Sequence, residues 1–220
     1  MDDPQRIASE RLYESAAAVA KALASAPRLR VMNIVAQMPR HVDQIAERMQ
    51  QSRATTSAQL KVLASAGLVV GERDGQRVIY RPASDAALAM FLALREHVAE
   101  HDPATREACK SRDVAPIYAG TLDALESEVA RGVITLLDLR PEEEWRHAHL
   151  RGARSVPYET LDAARFAKSG RYVAYCAGPT CAKAIDGSAF MSGKGLRVER
   201  LRLDVPAARV AGAQLESVAS

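Results

Sequence analysis

Cys176 and Cys181 are the residues of this chain whose types and spacing best suit chemistry: four residues separate them, and Gly178-Pro179 lies between. Val173-Ala174-Tyr175 reads as a buried strand, and the Gly-Pro pair then forces a compact loop whose backbone amides can point inward at a sulfur anion. Residues 181–191 have helical character, which puts the loop at a helix N-terminus, where partial positive charge lowers a thiol pKa and favours the nucleophilic thiolate. A buried cysteine with a purely structural role is the alternative.

Upstream, Val133 to Leu137 forms an apolar strand in front of Asp138 and Arg140. Glu142-Glu143-Glu144-Trp145 reads as a solvated helix start with a packed aromatic, and His147 to Pro157 make a turn into a short strand. In this order and spacing the segments resemble the rhodanese family, over about half the chain. The resemblance implies an α/β rhodanese-like domain with a central parallel sheet. It makes Cys176 the sulfur-accepting nucleophile and Ala177, Gly178, Pro179, Thr180 and Ala182 the anion cradle, with Asp138, Arg140 and His149 framing the site. Cys181 is then a second partner, able to close a bridge with a persulfide on Cys176. The sequence departs from the family where Ala177 replaces the usual Arg after the cysteine and where Leu203 to Ala208 replaces a Gly-containing turn. Lys183 supplies a positive charge only if it folds over the loop. Without an adjacent guanidinium, Cys176 is expected to be moderately acidified, below a free thiol. Gly187 interrupts the following helix at a cost of about 1 kcal/mol relative to Ala.

The elements that must position these residues leave more than half of the chain for something else. At 220 residues and 48% hydrophobic, the sequence holds two domains, each with its own core. No apolar run approaches a membrane span, and Met1-Asp2-Asp3-Pro4 lacks a signal-peptide core, so a cytoplasmic protein with no membrane partner is expected. Three cysteines without a framework suit a reducing compartment. From Arg28 to Arg81 there are nine Lys or Arg against four Asp or Glu, an excess of 9 − 4 = +5 suited to a phosphate backbone.

That basic stretch reads as helices over 7–24, 28–38, 42–49 and 53–66, with Pro27 opening the second, Ser52 capping the last and Gly67 ending it. Leu60 and Leu63 face inward, whereas Arg53, Thr55, Thr56, Ser57, Gln59 and Lys61 occupy the other faces. Two strands follow, joined through Glu72 to Gln76, with the Asp74-Gly75 pair as the hairpin signal. Tandem short helices and a basic hairpin describe a winged helix-turn-helix, an α+β domain that puts its second helix in the major groove and its wing, Arg73 and Arg77, on the backbone. Leu23 to Arg30 and Ser57 to Val69 resemble the ArsR/SmtB family of bacterial repressors. The fusion of such a repressor to a rhodanese-like domain is itself a known arrangement.

The expected domains are 1–101 for DNA binding and dimerisation, a linker over 102–115, and a rhodanese-like domain over 116–220. Apolar Leu88, Phe91, Leu92, Leu94 and Val98 on a long helix suit a homodimer interface, or else the winged domain's own core. No metal site or cofactor is expected. Pro39 to Gln44 lacks the thiols that soft metals need, and His97, Glu100 and His101 are the polar face of a helix before they are ligands. Cys109 lies in a polar connecting stretch. The partners are then a double-stranded DNA operator and a sulfane sulfur donor or polysulfide, with persulfide formation altering operator affinity. The alternatives are a thiosulfate or persulfide sulfurtransferase with an autoregulatory DNA-binding domain, and an arsenate- or phosphate-type oxyanion enzyme, for which the loop lacks an Arg.

Overall fold

The structure, a computed structural model, describes residues 4–110, 115–162 and 164–218, with 4–8 and 110 as backbone alone. The acidic start, residues 1–3, and residues 111–114 of the expected linker lie outside the described residues. The chain divides into two units between Phe91 and Leu92.

The first unit contains α1 (Pro4–Leu23), α2 (Ala26–Gln37), β1 (Arg40–His41), α3 (Val42–Met49), α4 (Arg53–Ser65), β2 (Val69–Asp74) and β3 (Arg77–Pro82). The start of α5 (Asp85–His101) also belongs to it, and that helix continues across the division. Local chemistry sets the α4 boundaries. Ser52 Oγ accepts the Thr55 amide at 3.1 Å, and Gly67, at φ +68°, takes the left-handed turn that ends the helix. Leu60 and Leu63 are buried with Val31, Met32, Val35, Ile45, Met49, Leu68 and Leu88. The strands pair antiparallel in the order β1-β3-β2. Asp74 pairs directly with Arg77, so the hairpin turns on Gly75-Gln76, one residue later than the Asp-Gly signal placed it. Asp74 stays extended while Gly75 supplies the positive φ of +62°.

The second unit contains the remainder of α5, α6 (Pro103–Lys110), α7 (Leu122–Ala130), β4 (Thr135–Asp138), α8 (Glu142–His147), β5 (His149–Leu150) and β6 (Arg154–Ser155). After a 3-10 turn at Tyr158–Thr160 come β7 (Arg171–Tyr175), α9 (Ala182–Gly193), β8 (Arg197–Arg200), α10 (Val205–Val210) and β9 (Leu215–Glu216). Four strands form a parallel sheet in the order β6-β4-β7-β8, and β9 pairs antiparallel with β5. Helices cover both faces of such a sheet, so its central strands are apolar throughout. Leu137, Ala174 and Val198 pack to one side with Met191, and Leu136, Val173 and Tyr175 to the other with Leu125, Val205 and Ala208. Asp138 and Tyr175 are register partners, so the ends of β4 and β7 deliver Asp138 and Cys176 to the same edge.

Three expectations change here. The polar stretch expected as a linker begins with helix α6, whose first turn is capped by Asp102 Oδ2 accepting from Thr105 N at 2.7 Å. Glu144, expected in solvent, is buried, whereas its neighbour Glu142 remains exposed and pairs with Arg146 one turn on. Gly187 permits close packing: a Cβ there would lie 2.8 Å from Leu139 Cδ1 and 3.2 Å from Leu161 Cδ2. Among the described residues no helix is long and apolar enough to cross a membrane.

Candidate functional site

The two sulfurs of the loop are hydrogen bonded to each other. Cys181 is the N-cap of α9 and half-buried; Cys176, at the end of β7, is buried. The hydrogen bond from Cys176 is the largest influence on Cys181, and the amides of Ala184, Ala177 and Lys183 also point at it. Together these outweigh burial and draw Cys181 down to about 6. Cys176 is pushed far above the usual thiol range, first because it donates to Cys181, then by burial and by the charges of Cys181 and Asp138. The expected acidification therefore falls on the other cysteine. The helix begins at Cys181, so its free amides serve that sulfur. Gly178 and Pro179 are buried on the loop, Thr180 and Ala182 are exposed, and Ala177 lends its amide. Lys183 is engaged with Glu159 of the 3-10 turn, while still feeling the charge of both sulfurs.

Asp138 and Arg140 form a fully buried ion pair. Arg140 Nε donates to Asp138 Oδ1 and Oδ2 at 3.0 and 3.1 Å, and Nη2 donates to Oδ2 at 2.6 Å. The same Nη2 reaches the Ala148 carbonyl at 2.7 Å, and the Tyr175 hydroxyl donates to Asp138 Oδ2 at 2.7 Å. These bonds tie β4, β7 and the following turn into one frame. His149, the first residue of β5, follows that turn, with its ring stacked on Trp145 and its Nε2 3.6 Å from Glu216 Oε2. Three further residues secure the loop that the sequence motifs did not mark. Arg200 Nη1 donates to the Pro179 carbonyl at 2.7 Å, and Arg95 and Asp204 meet over Gly178. The Asp204-Val205-Pro206 string is a readable helix cap, but nothing local marks Arg95 or Arg200.

On α4, Arg53, Thr55 and Lys61 are exposed, Ser57 and Gln59 are half-buried, and the Gln59 carbonyl oxygen is turned inward. Arg53 Nε lies 3.4 Å from Asp43 on α3, an exposed pair that leaves the guanidinium accessible. Arg73 and Arg77 are exposed on the hairpin. Thr56, expected at the DNA surface, is fully buried, because it precedes Leu60 by four residues and Leu63 by seven on the inward stripe. Its buried Oγ1 has no hydrogen-bond partner. Thr56→Val should therefore leave DNA affinity within about twofold and raise stability by up to about 1–2 kcal/mol. Binding titrations and urea melts check this, and a tenfold loss of affinity would return Thr56 to the interface.

His97 and His101 stack on one another with ring centroids 4.6 Å apart. Among the described residues no three His, Cys, Asp or Glu gather as for a metal ion. Cys109 is half-buried on α6.

A winged helix-turn-helix unit followed by a parallel-sheet unit with one cysteine at a strand end and another at the next helix N-terminus defines a DNA-binding regulator with a rhodanese-like domain. Residues 26–70 match the bacterial regulatory protein arsR family, and residues 121–201 match the rhodanese-like domain. The HTH-type transcriptional regulator Rv0324 of Mycobacterium tuberculosis (strain ATCC 25618 / H37Rv) is 34% identical over 197 residues, spanning 86% of this chain and 85% of that protein. The chain belongs to the ArsR family of bacterial regulatory proteins, in a form that carries a rhodanese-like domain. Among solved structures, the homodimeric winged helix-turn-helix DNA-binding domain of Mb0332 from Mycobacterium bovis is 33% identical, with 47% of this chain and 94% of that one covered and a TM-score of 0.44. A crystal structure of a "possible transcriptional regulatory protein" fragment from Mycobacterium bovis is 39% identical, with 41% and 96% covered and a TM-score of 0.38.

Proposed function

We propose that this regulator acts as a homodimer and registers reactive sulfur, a polysulfide or another sulfane sulfur donor, through Cys176 and Cys181, with operator affinity following the state of that pair. The observation that carries this reading is two thiols hydrogen bonded to each other across one loop, Cys176 at the end of β7 and Cys181 at the N-cap of α9, in a chain whose first unit is of a DNA-binding family. The Cys181 thiolate attacks the terminal sulfur of a hydropersulfide RS–SH; the S–S bond breaks, RS⁻ leaves with the electron pair, and Cys181–S–SH forms. Cys176 gives its proton to RS⁻ and attacks the inner sulfur of that persulfide. The Cys176–Cys181 disulfide forms and HS⁻ leaves. Both cysteine sulfurs are oxidised and the sulfane sulfur is reduced to sulfide. These roles reverse those the family resemblance implies; the reversal is supported by Cys181 being the half-buried sulfur at the N-terminus of α9 while Cys176 is buried.

Dimerisation is supported by apolar side chains left in solvent: Leu12 and Tyr13 on α1, and Met90, Leu94 and Val98 on α5, the last three spaced by four on one helical stripe. A two-fold axis relating two such chains gives two copies of α4 for successive major grooves, about 34 Å apart. Thr55, Ser57 and Lys61 then face the bases and phosphates, with Arg53, Arg73 and Arg77 on the backbone.

The test uses a DNA duplex selected from a random library by the reduced protein. Wild-type protein treated with polysulfide should yield a Cys176–Cys181 disulfide by mass spectrometry and a changed affinity. Cys181→Ser should lose the response. Cys176→Ser should retain one extra sulfur atom on Cys181. A Cys181→Ser protein with the full response overturns the assignment.

A further inference from the structure

The Leu92–His101 part of α5 belongs to the second unit and brings Arg95 to the thiol loop. Arg95 Nη1 and Nη2 donate to Asp204 Oδ2 and Oδ1 at 2.7 and 3.0 Å. Asp204 is fully buried and also caps α10, accepting from Ala207 N at 3.1 Å. A Cβ on Gly178 would lie 3.1 Å from Arg95 Nη1 and 3.6 Å from Asp204 Oδ2, and Gly178 itself has φ +130°. The ion pair therefore lies over the backbone between the two cysteines, where an added side chain would crowd the Arg95 guanidinium and the positive φ favours glycine. Of the other charged groups facing the loop, Lys183 pairs with Glu159 and Asp138 lies within its buried frame, whereas Arg200 holds the loop itself through the Pro179 carbonyl. Arg95 differs because its helix runs on into the first unit, where Leu88 and Phe91 are buried.

We propose that the Arg95–Asp204 pair relays the state of the Cys176–Cys181 loop to α5, so that a bond between the two sulfurs displaces Gly178, loosens the pair and shifts the helix. The relay rests on the reading of that cysteine pair as the responsive group. A disulfide needs its sulfurs about 2.05 Å apart, so sulfurs now at hydrogen-bond distance must close and drag the intervening backbone with them. Gly178 faces the Arg95 guanidinium across a gap that a single added methyl group would crowd, and packed contacts of this kind change between discrete arrangements.

The test uses full-length protein carrying Cys109→Ser, so that only the loop thiols remain. Diamide serves as the probe: it takes two electrons and two protons from the thiols to close the bridge and needs no sulfur donor. Hydrogen exchange over residues 92–101 should become about tenfold faster on closure. In Arg95→Met, and in Asp204→Asn, which keeps a helix-capping acceptor, exchange should be fast beforehand and unchanged by closure. A wild-type loop that closes with α5 unaffected, or variants that keep the full change, overturns the relay. If diamide moves α5 while polysulfide leaves DNA binding unaltered, the relay holds and the sulfur reading fails.

Discussion

Asp138→Ala should destabilise the rhodanese-like unit by about 3–5 kcal/mol, because it leaves the buried Arg140 charge without its carboxylate partner. Burial opposes the Arg140 charge, and the hydrogen bonds and charge of Asp138 more than offset it. Removing the carboxylate also strands the Tyr175 hydroxyl, which donates to it. A loss of this size is a large part of the roughly 5–15 kcal/mol that holds a domain together. The sole tryptophan of the chain, Trp145, donates to the Ala153 carbonyl at 2.8 Å beside this frame, so its fluorescence reports the unit selectively. The urea midpoint should fall by on the order of 2 M, taking a slope of about 2 kcal/mol per M. A shift below about 0.3 M would mean that water or another donor compensates the pair.

Leu94→Glu should separate the proposed dimer and weaken binding to the selected duplex on the order of a hundredfold. A carboxylate forced into an apolar interface costs about 2–5 kcal/mol. Leu94 is 38% exposed in the single chain, on the side of α5 away from the buried Leu92 and Ala99, so the fold should survive unchanged. Sedimentation gives the oligomeric state and a titration gives the affinity. A dimer that persists with undiminished DNA binding removes α5 from the interface.

What the sequence revealed follows the range of the interactions involved. Helix α3 has the bounds its spacing predicts, and α4 starts after Ser52 because capping is settled within three residues. The strand, loop and helix around Cys176 were legible for the same reason. Thr56 was misplaced although its position relative to Leu60 and Leu63 marks the inward stripe: its hydroxyl suggested a surface that its register denies. The ordering of the two thiols depends on which sulfur receives the α9 amides, a difference of ångströms that residue types do not encode. Arg95 and Asp204 meet across 109 residues, and no local pattern links them.

The sheet order also sets a timetable. β8 joins the sheet beside β7, and β9, which pairs with β5, comes last, so the frame around the cysteines is complete only when the chain has been made to Glu216. The first unit is complete at Phe91, 216 − 91 = 125 residues earlier. At a synthesis rate of about 5–20 residues per second, a nascent chain spends roughly 6–25 s between completing the winged unit and completing the frame of the thiol loop. During that interval the growing polypeptide carries the winged unit without a completed thiol loop, and a chain truncated before β8 would remain in that state.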